Sequence, residues 1–271
     1  MNVVFIGLGR MGFVQARLAR VFGDHLCFGC DTDPSARTSF HEEFKIPVSS
    51  QVQDLDGVDL IWITVNDDAI ENVAATLEKC DRERLVVLHT SGALSSEVLS
   101  RHLKKVSCAS FHPLMACPLR ETSDDACVSA YRGVIHAYEG DAAACDIARK
   151  LIERIHGDGV QIQNKIRYHA GAVFASNYLL ACLHVGCTLL EKSGLTHEQA
   201  LRGALQMARQ NFDAVEKSSL DRALTGPVKR RDFATIQKHE DALVDQPDLL
   251  ALYRALKIET QKLADYREAE K

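Results

Sequence analysis

Apolar and polar positions follow two different rhythms along the 271-residue chain. Up to about residue 160, short apolar runs alternate with amphipathic stretches. The run at 3–6 is rich in β-branched residues, and it and the runs at 26–30, 60–65, 85–90, 106–110 and 134–138 are predicted to be strands. Between them, segments 12–22, 68–80 and 95–104 space their apolar residues as helices do. Strands alternating with helices predict a parallel sheet covered on both faces. The pattern changes near 158–165, around Gly157-Asp158-Gly159. Beyond it lie three long helical patterns, at 166–193, 197–217 and 236–268, the last interrupted near Asp245 to Pro247. Gly194 suits the stop of the first, and Thr196 with Gln199 forms a capping box for the second. Segment 220–232 contains Gly226-Pro227 and is predicted to be a loop. The expected architecture is α/β: a Rossmann-type sheet domain over 1–160, then an all-α helical domain over 161–271.

Composition changes this picture little. The chain is 46% hydrophobic and 25% charged, with a formal net charge of −5, so neither nucleic acid nor an anionic membrane is an expected partner. Its first residues lack the basic and apolar regions of a signal peptide. The apolar stretch 178–190 contains His184 and falls short of the ~20 residues a membrane span needs. The nine cysteines are scattered and odd in number, which suits small apolar side chains in a reducing compartment, the cytoplasm. Cys27 and Cys30 have C-x-x-C spacing, but in a strand they point to opposite faces and no second pair follows, so no metal is expected.

The densest local signal is Gly7-Leu8-Gly9-Arg10-Met11-Gly12, placed between the first strand and the first helix. In that context G-x-G-x-x-G is the dinucleotide-binding turn. Gly7 makes the tight turn, Gly9 lets a pyrophosphate approach the backbone, and Gly12 permits close helix–strand packing. The phosphates would rest on free N–H groups at the helix start. Asp31 ends the second strand roughly 20 residues beyond Gly12, the separation of the ribose-binding acid. A carboxylate there accepts from a 2′-hydroxyl and repels a 2′-phosphate, which favours NAD over NADP; capping the turn before Pro34 is its other use. Ligands of such sheets lie beyond the carboxyl ends of the strands. Two more strand ends therefore face the same crevice: Val65-Asn66-Asp67-Asp68 and His89-Thr90-Ser91-Gly92. Val65 and Asn66 are expected under the cofactor. His89, Thr90 and Ser91 are expected on the nicotinamide side. Asp67 and Asp68 suit the cap of the following helix.

Together with the glycine turn, several blocks resemble Rossmann-like NAD(P)-dependent oxidoreductases whose C-terminal half is a helical domain of unknown function. They include Phe5-Ile6-Gly7-Leu8-Gly9, His89-Thr90-Ser91-Gly92-Ala93-Leu94, Ser110-Phe111-His112-Pro113-Leu114, the stretch 168–178 and Thr225-Gly226-Pro227. The resemblance implies a C-terminal domain similar to those of 6-phosphogluconate dehydrogenase, ketopantoate reductase and pyrroline-5-carboxylate reductase. It also implies a homodimer formed through that domain. Asn66 departs from the pattern where proline is usual, and Arg231 where glycine is usual.

Hydride transfer is the cofactor's own chemistry, and the protein must position a substrate and handle one proton. Histidine suits that task near neutral pH. His112 follows the strand predicted at 106–110 and precedes Pro113; this piece resembles the histidine segment of prephenate dehydrogenases. His169 opens the first long helix, with Val173, Ser176 and Asn177 on its face at helical spacing. On the equivalent helix the 3-hydroxyacid dehydrogenases carry a lysine and an asparagine. No lysine stands at that spacing, and His169 with Asn177 is the expected substitute. Each has a plainer use: His112 as a histidine bonded to backbone, His169 facing solvent, Ser176 and Asn177 bonding across a dimer interface. The functional expectation is an NAD(P)-dependent oxidoreductase acting on a small carbonyl, imine or hydroxy acid between the domains. The alternative is a dinucleotide sensor or an inactive relative.

Overall fold

In a computed structural model the chain is described over residues 1–53, 55–117 and 122–266. It divides into two compact units, Met1–Ser176 and Asn177–Lys271.

The first unit is an eight-stranded sheet. Its strands are β1 (Asn2–Ile6), β2 (His25–Cys30), β3 (Val48–Ser49), β4 (Leu60–Ile63), β5 (Val86–His89), β6 (Ser107–Pro113), β7 (Ile135–Gly140) and β8 (Asp158–Gln161). They lie in the order β3-β2-β1-β4-β5-β6-β7-β8. Every neighbouring pair is parallel except β6 and β7. Val3 to Ile6 and Leu60 to Ile63 are buried throughout, because helices cover both faces. On one face α1 (Arg10–Val21), α2 (Pro34–Phe44) and α6 (Ala142–Arg154) bury Phe13, Phe40, Phe44 and Ile152 against Phe5, Trp62 and Phe111. On the other, α3 (Asp67–Thr76) and the single turn α4 (Glu97–Ser100) bury Ile70, Ala74 and Leu99 against Ile61, Ile63 and Val87.

The doubly wound sheet thus matches the expectation from periodicity, with several corrections. Helices α2 and α5 (Asp124–Tyr131) and strands β3 and β8 carry weak patterns and lie outside the expected elements, as does α6 despite its amphipathic face of Ala144, Cys145, Ala148 and Ile152. The helix expected over 95–104 is one turn, and that over 68–80 ends at Thr76 before a 3-10 turn. The strand expected over 106–110 runs on to Pro113, because β7 pairs antiparallel with its far end, His112 opposite Ala137. So β8 and α7 (Lys165–Ala175) fall with the sheet unit, and the units meet at Ser176 and Asn177 rather than at 160 and 161.

The second unit is helical: α8 (Asn177–Lys192), α9 (His197–Lys217), the single turns α10 (Leu220–Ala223) and α11 (Gly226–Lys229), α12 (Phe233–Asp241) and α13 (Pro247–Asp265). Gly194 takes φ +104 after α8, and Thr196 and Gln199 cap α9 reciprocally. The helix expected over 166–193 is two helices. Ser176 Oγ donates to the Ala172 carbonyl at 2.7 Å, a local bond that competes with the helix ladder. By length and composition the run Lys165–Lys192 would suffice to cross a membrane. It is broken at Ser176, however, and its first residue is buried on β6. Arg231, which replaces the usual glycine, adopts φ +55, a conformation that suits glycine better than arginine.

Candidate active site

The turn after β1 shows what each glycine does. Gly7 has φ +95, and a Cβ there would lie 2.6 Å from the backbone of Thr64 and Val65. A Cβ on Gly12 would meet the Gly7 carbonyl at 2.2 Å, so α1 can approach β1 only with hydrogen at that position. Gly9 is different: nothing lies within 4 Å of its Cβ position. It caps α1 without a side chain, leaving the helix's first N–H groups facing open space. Asp31 accepts the Leu8 N–H at 2.7 Å and the Asp33 N–H at 2.9 Å. It therefore caps the turn and pins the glycine loop at once. A groove of 570 Å³ runs along this edge, lined by Gly7, Gly9, Asp31, Thr32, Val65 and Asn66 and reaching Gln51 and Lys79. Leu8 and Gly12 are buried and serve through the backbone. The thioether of Met11 turns inward, to Tyr131 Oη and Gln15 Nε2. Arg10 opens α1 with an exposed side chain and does not line the groove.

A second group of polar side chains lies at the ends of β5 and β6 and the start of α7. A Cβ on Gly92 would touch His169 Nδ1 at 2.5 Å and His112 Nε2 at 2.9 Å, so both imidazoles rest on this glycine. The His112 Nδ1 is 2.8 Å from Tyr168 Oη. Lys165, 5% exposed, donates from Nζ to Ser110 Oγ at 2.9 Å. His89 is fully buried; its Nδ1 accepts the Ser91 N–H at 3.2 Å, and Ser91 Oγ accepts from Ala93 and Leu94 N–H. Among the described residues, His89 Nε2 and His169 Nδ1 are buried without a hydrogen-bond partner.

Residues 2–92 match the family described as NADP oxidoreductase, coenzyme F420-dependent, and residues 134–260 match a domain of unknown function, DUF2520. The first match runs from β1 to Gly92 and so contains the whole glycine turn and groove. No curated protein matches the sequence. Among solved structures, a protein of Thermotoga maritima superposes with TM-score 0.76 at 23% identity, covering 97% of this chain and 98% of its own. A candidate NADP oxidoreductase of Bacteroides fragilis has TM-score 0.76 at 17% identity, over 96% and 98%. Prephenate dehydrogenase of Aquifex aeolicus, solved with hydroxyphenyl propionate and NAD+, has TM-score 0.58 at 15% identity, over 97% and 98%. At these identities the likeness is one of fold.

Burial sets the electrostatics of the group around Gly92. Desolvation lowers His89 to about 3, and the nearby Lys165 charge acts in the same direction. The same two causes bring His112 to about 4, while burial pushes Tyr168 up to about 12. Both imidazoles and the phenol are therefore neutral at pH 7. Lys165 is lowered to about 8 by desolvation, which the carboxylates of Glu139 and Asp67 oppose. The histidine shifts have a consequence for stability. In the unfolded chain both imidazoles take up protons near pH 6.5, and in the folded chain only near 3 to 4. Stability is therefore complete above pH 6.5 and falls as pH drops toward 4. Thermal melts of the native protein and of His89→Asn check this; His89→Asn flattens the acid limb, and an unaltered limb refutes the assignment.

Of the residues expected at the site, Gly7, Gly9, Asp31, Val65 and Asn66 line one groove, and His112 and His169 converge on Gly92. His89 and Ser91 build the loop that carries Gly92, and Thr90 bonds through its N–H to Ile63. Ser176 commits its hydroxyl to α7, and Asn177 begins the second unit. Lys165, Tyr168 and Ser110 were not anticipated. Lys165, Tyr168 and His169 stand at i, i+3 and i+4, a helical spacing that was legible.

Proposed function

We propose that the chain is an NAD(P)-dependent oxidoreductase that moves a hydride to or from a small carbonyl, imine or hydroxy-acid substrate. The open face of Gly9 within the Asp31-bordered groove carries the reading: the loop is built around a space that only a ligand would fill. Gly7 and Gly9 with the free N–H groups of α1 would hold the pyrophosphate, and Asp31 the adenosine ribose. The nicotinamide, when bound, supplies or accepts the hydride.

This chain's own residues handle the rest. In this proposal Tyr168 donates to His112 Nδ1, 2.8 Å away, so that the imidazole proton sits on Nε2, the nitrogen that faces Gly92. A neutral N–H there can bond a substrate oxygen or nitrogen as charge develops on it. His169, on the other side of Gly92, is the second group within reach. Lys165, near 8, is the acid of the cluster best matched to neutral pH.

NAD is the preferred form in this proposal. Arg37 commits Nη1 to the Asp31 and Thr32 carbonyls at 2.7 and 2.9 Å, while the Asp31 carboxylate repels a 2′-phosphate. Separate calorimetric titrations of NADH and NADPH test both points. Native protein should bind NADH in the micromolar range and at least tenfold more tightly than NADPH; binding of neither removes the oxidoreductase reading. Asp31→Asn should narrow the preference to less than about threefold, and unchanged discrimination removes Asp31 from the ribose role.

Homodimerisation through the second unit is part of the proposal. Leu180, Met207 and Phe212 are exposed on α8 and α9, beside an apolar groove of 340 Å³. The nine cysteines are unpaired, which supports residence in a reducing cytoplasm.

A further inference from the structure

Lys165 is a charged group that the fold does not explain. Its ammonium is buried, and its partner is the neutral hydroxyl of Ser110. Among the described residues no carboxylate lies within ion-pair distance of it. Glu139 faces it from β7 but commits one oxygen to the Ser96 N–H at 2.8 Å and the other to Ser96 Oγ at 2.9 Å. Asp67 acts on it only from the exposed first turn of α3. The remaining groups around it are His89 on β5, His112 on β6 and Tyr168 on α7. All three are neutral at pH 7. Lys165 also occupies the first turn of α7, where the helix dipole disfavours a cation. A buried cation in this setting is costly unless an anion joins it. One imidazole nitrogen nearby, His169 Nδ1, is itself buried without a hydrogen-bond partner among the described residues.

We infer that the substrate is a small monoanion carrying a carboxylate, which Lys165 receives beside the Gly92–His112–His169 group. The inference rests on the oxidoreductase reading for the word substrate, but not for the anion site itself. One ammonium among neutral imidazoles matches a carboxylate rather than a phosphate dianion, which calls for more positive charge. The ammonium must be protonated to act. As Lys165 sits near 8, anion affinity is full below that pH and falls above it.

The test is calorimetric titration with oxamate and pyruvate against their neutral counterparts oxamide and methyl pyruvate. It is run on the free protein and on protein saturated with NADH. The anions should bind at least tenfold more tightly than the neutral compounds at pH 7. Above pH 8 their affinity should drop up to tenfold per pH unit. Lys165→Met should weaken the anions at least thirtyfold and leave the neutral compounds unchanged, with partial retention in Lys165→Arg. Equal binding of anions and neutral compounds, a flat profile from pH 6.5 to 9.5, or no binding by any of the four overturns the inference. The pH profile of the native protein decides the matter even where Lys165→Met fails to fold. The NADH titration reads the cofactor proposal separately, so either idea can fall alone.

Discussion

Gly9→Ala should abolish measurable dinucleotide binding while leaving the protein folded. No protein atom lies within 4 Å of the added methyl group, and Gly9 has an ordinary φ of −73°. The folded state therefore loses at most about 1 kcal/mol, from a poorer helix cap. The methyl nevertheless occupies the space through which a pyrophosphate must approach the first N–H groups of α1, so affinity should fall at least about 100-fold. Gly7→Ala is the contrasting variant. It forces a side chain into φ +95 and drives its Cβ to within 2.6 Å of the backbone between Thr64 and Val65. Backbone cannot rotate aside as a side chain would. That variant should lose binding and also about 3 kcal/mol of stability, from strain and overpacking together. Calorimetry with NADH and a thermal melt separate the two. A Gly9→Ala protein that binds NADH as the native one does would show that the turn is scaffold.

His112→Ala should lower kcat by about 10²- to 10⁴-fold with dinucleotide affinity unchanged, the range a positioned proton donor contributes. His112 does not line the cofactor groove, and its ring is held by Tyr168 and Gly92. Its removal leaves Tyr168 without that partner but does not disturb the Gly7–Gly12 turn. Tyr168→Phe, which frees the His112 tautomer without deleting the ring, should lower kcat by a smaller factor. Once a substrate is in hand, steady-state kinetics beside an NADH titration would check both. If His112→Ala turns over like the native protein, the proton is handled elsewhere, and Lys165 becomes the first residue to replace.

The residues that proved easy to place share a local cause. β4 is apolar at every position, and β1 and β5 at all but Asn2 and His89 at their ends, because parallel strands are covered twice, and such runs stand out in any linear scan. The elements that escaped are held by distant partners. β8 is exposed along its whole length and is a strand only because it pairs with β7. The α5 helix buries only Cys127 and Tyr131 and carries little amphipathic signal. The far end of β6 extends beyond its predicted limit because β7 runs antiparallel to it. That pairing holds His112 within a strand, not in the loop after one.

The same division runs through the site. From sequence alone came the Rossmann-type sheet, the glycine turn at Gly7 to Gly12, the acid at Asp31 and the two histidines. Each of these depends on contacts between near neighbours in the chain or on a fixed spacing. Only the tertiary structure decided what stands around them. Asp31 reaches back to the Leu8 N–H, Gly92 seats His112 and His169 together, and Lys165 lies against Ser110, 55 residues earlier. Burial, moreover, is a property of the packed sheet rather than of any segment. It is burial that keeps His89 and His112 neutral and brings Lys165 near 8, with no carboxylate at ion-pair distance among the described residues.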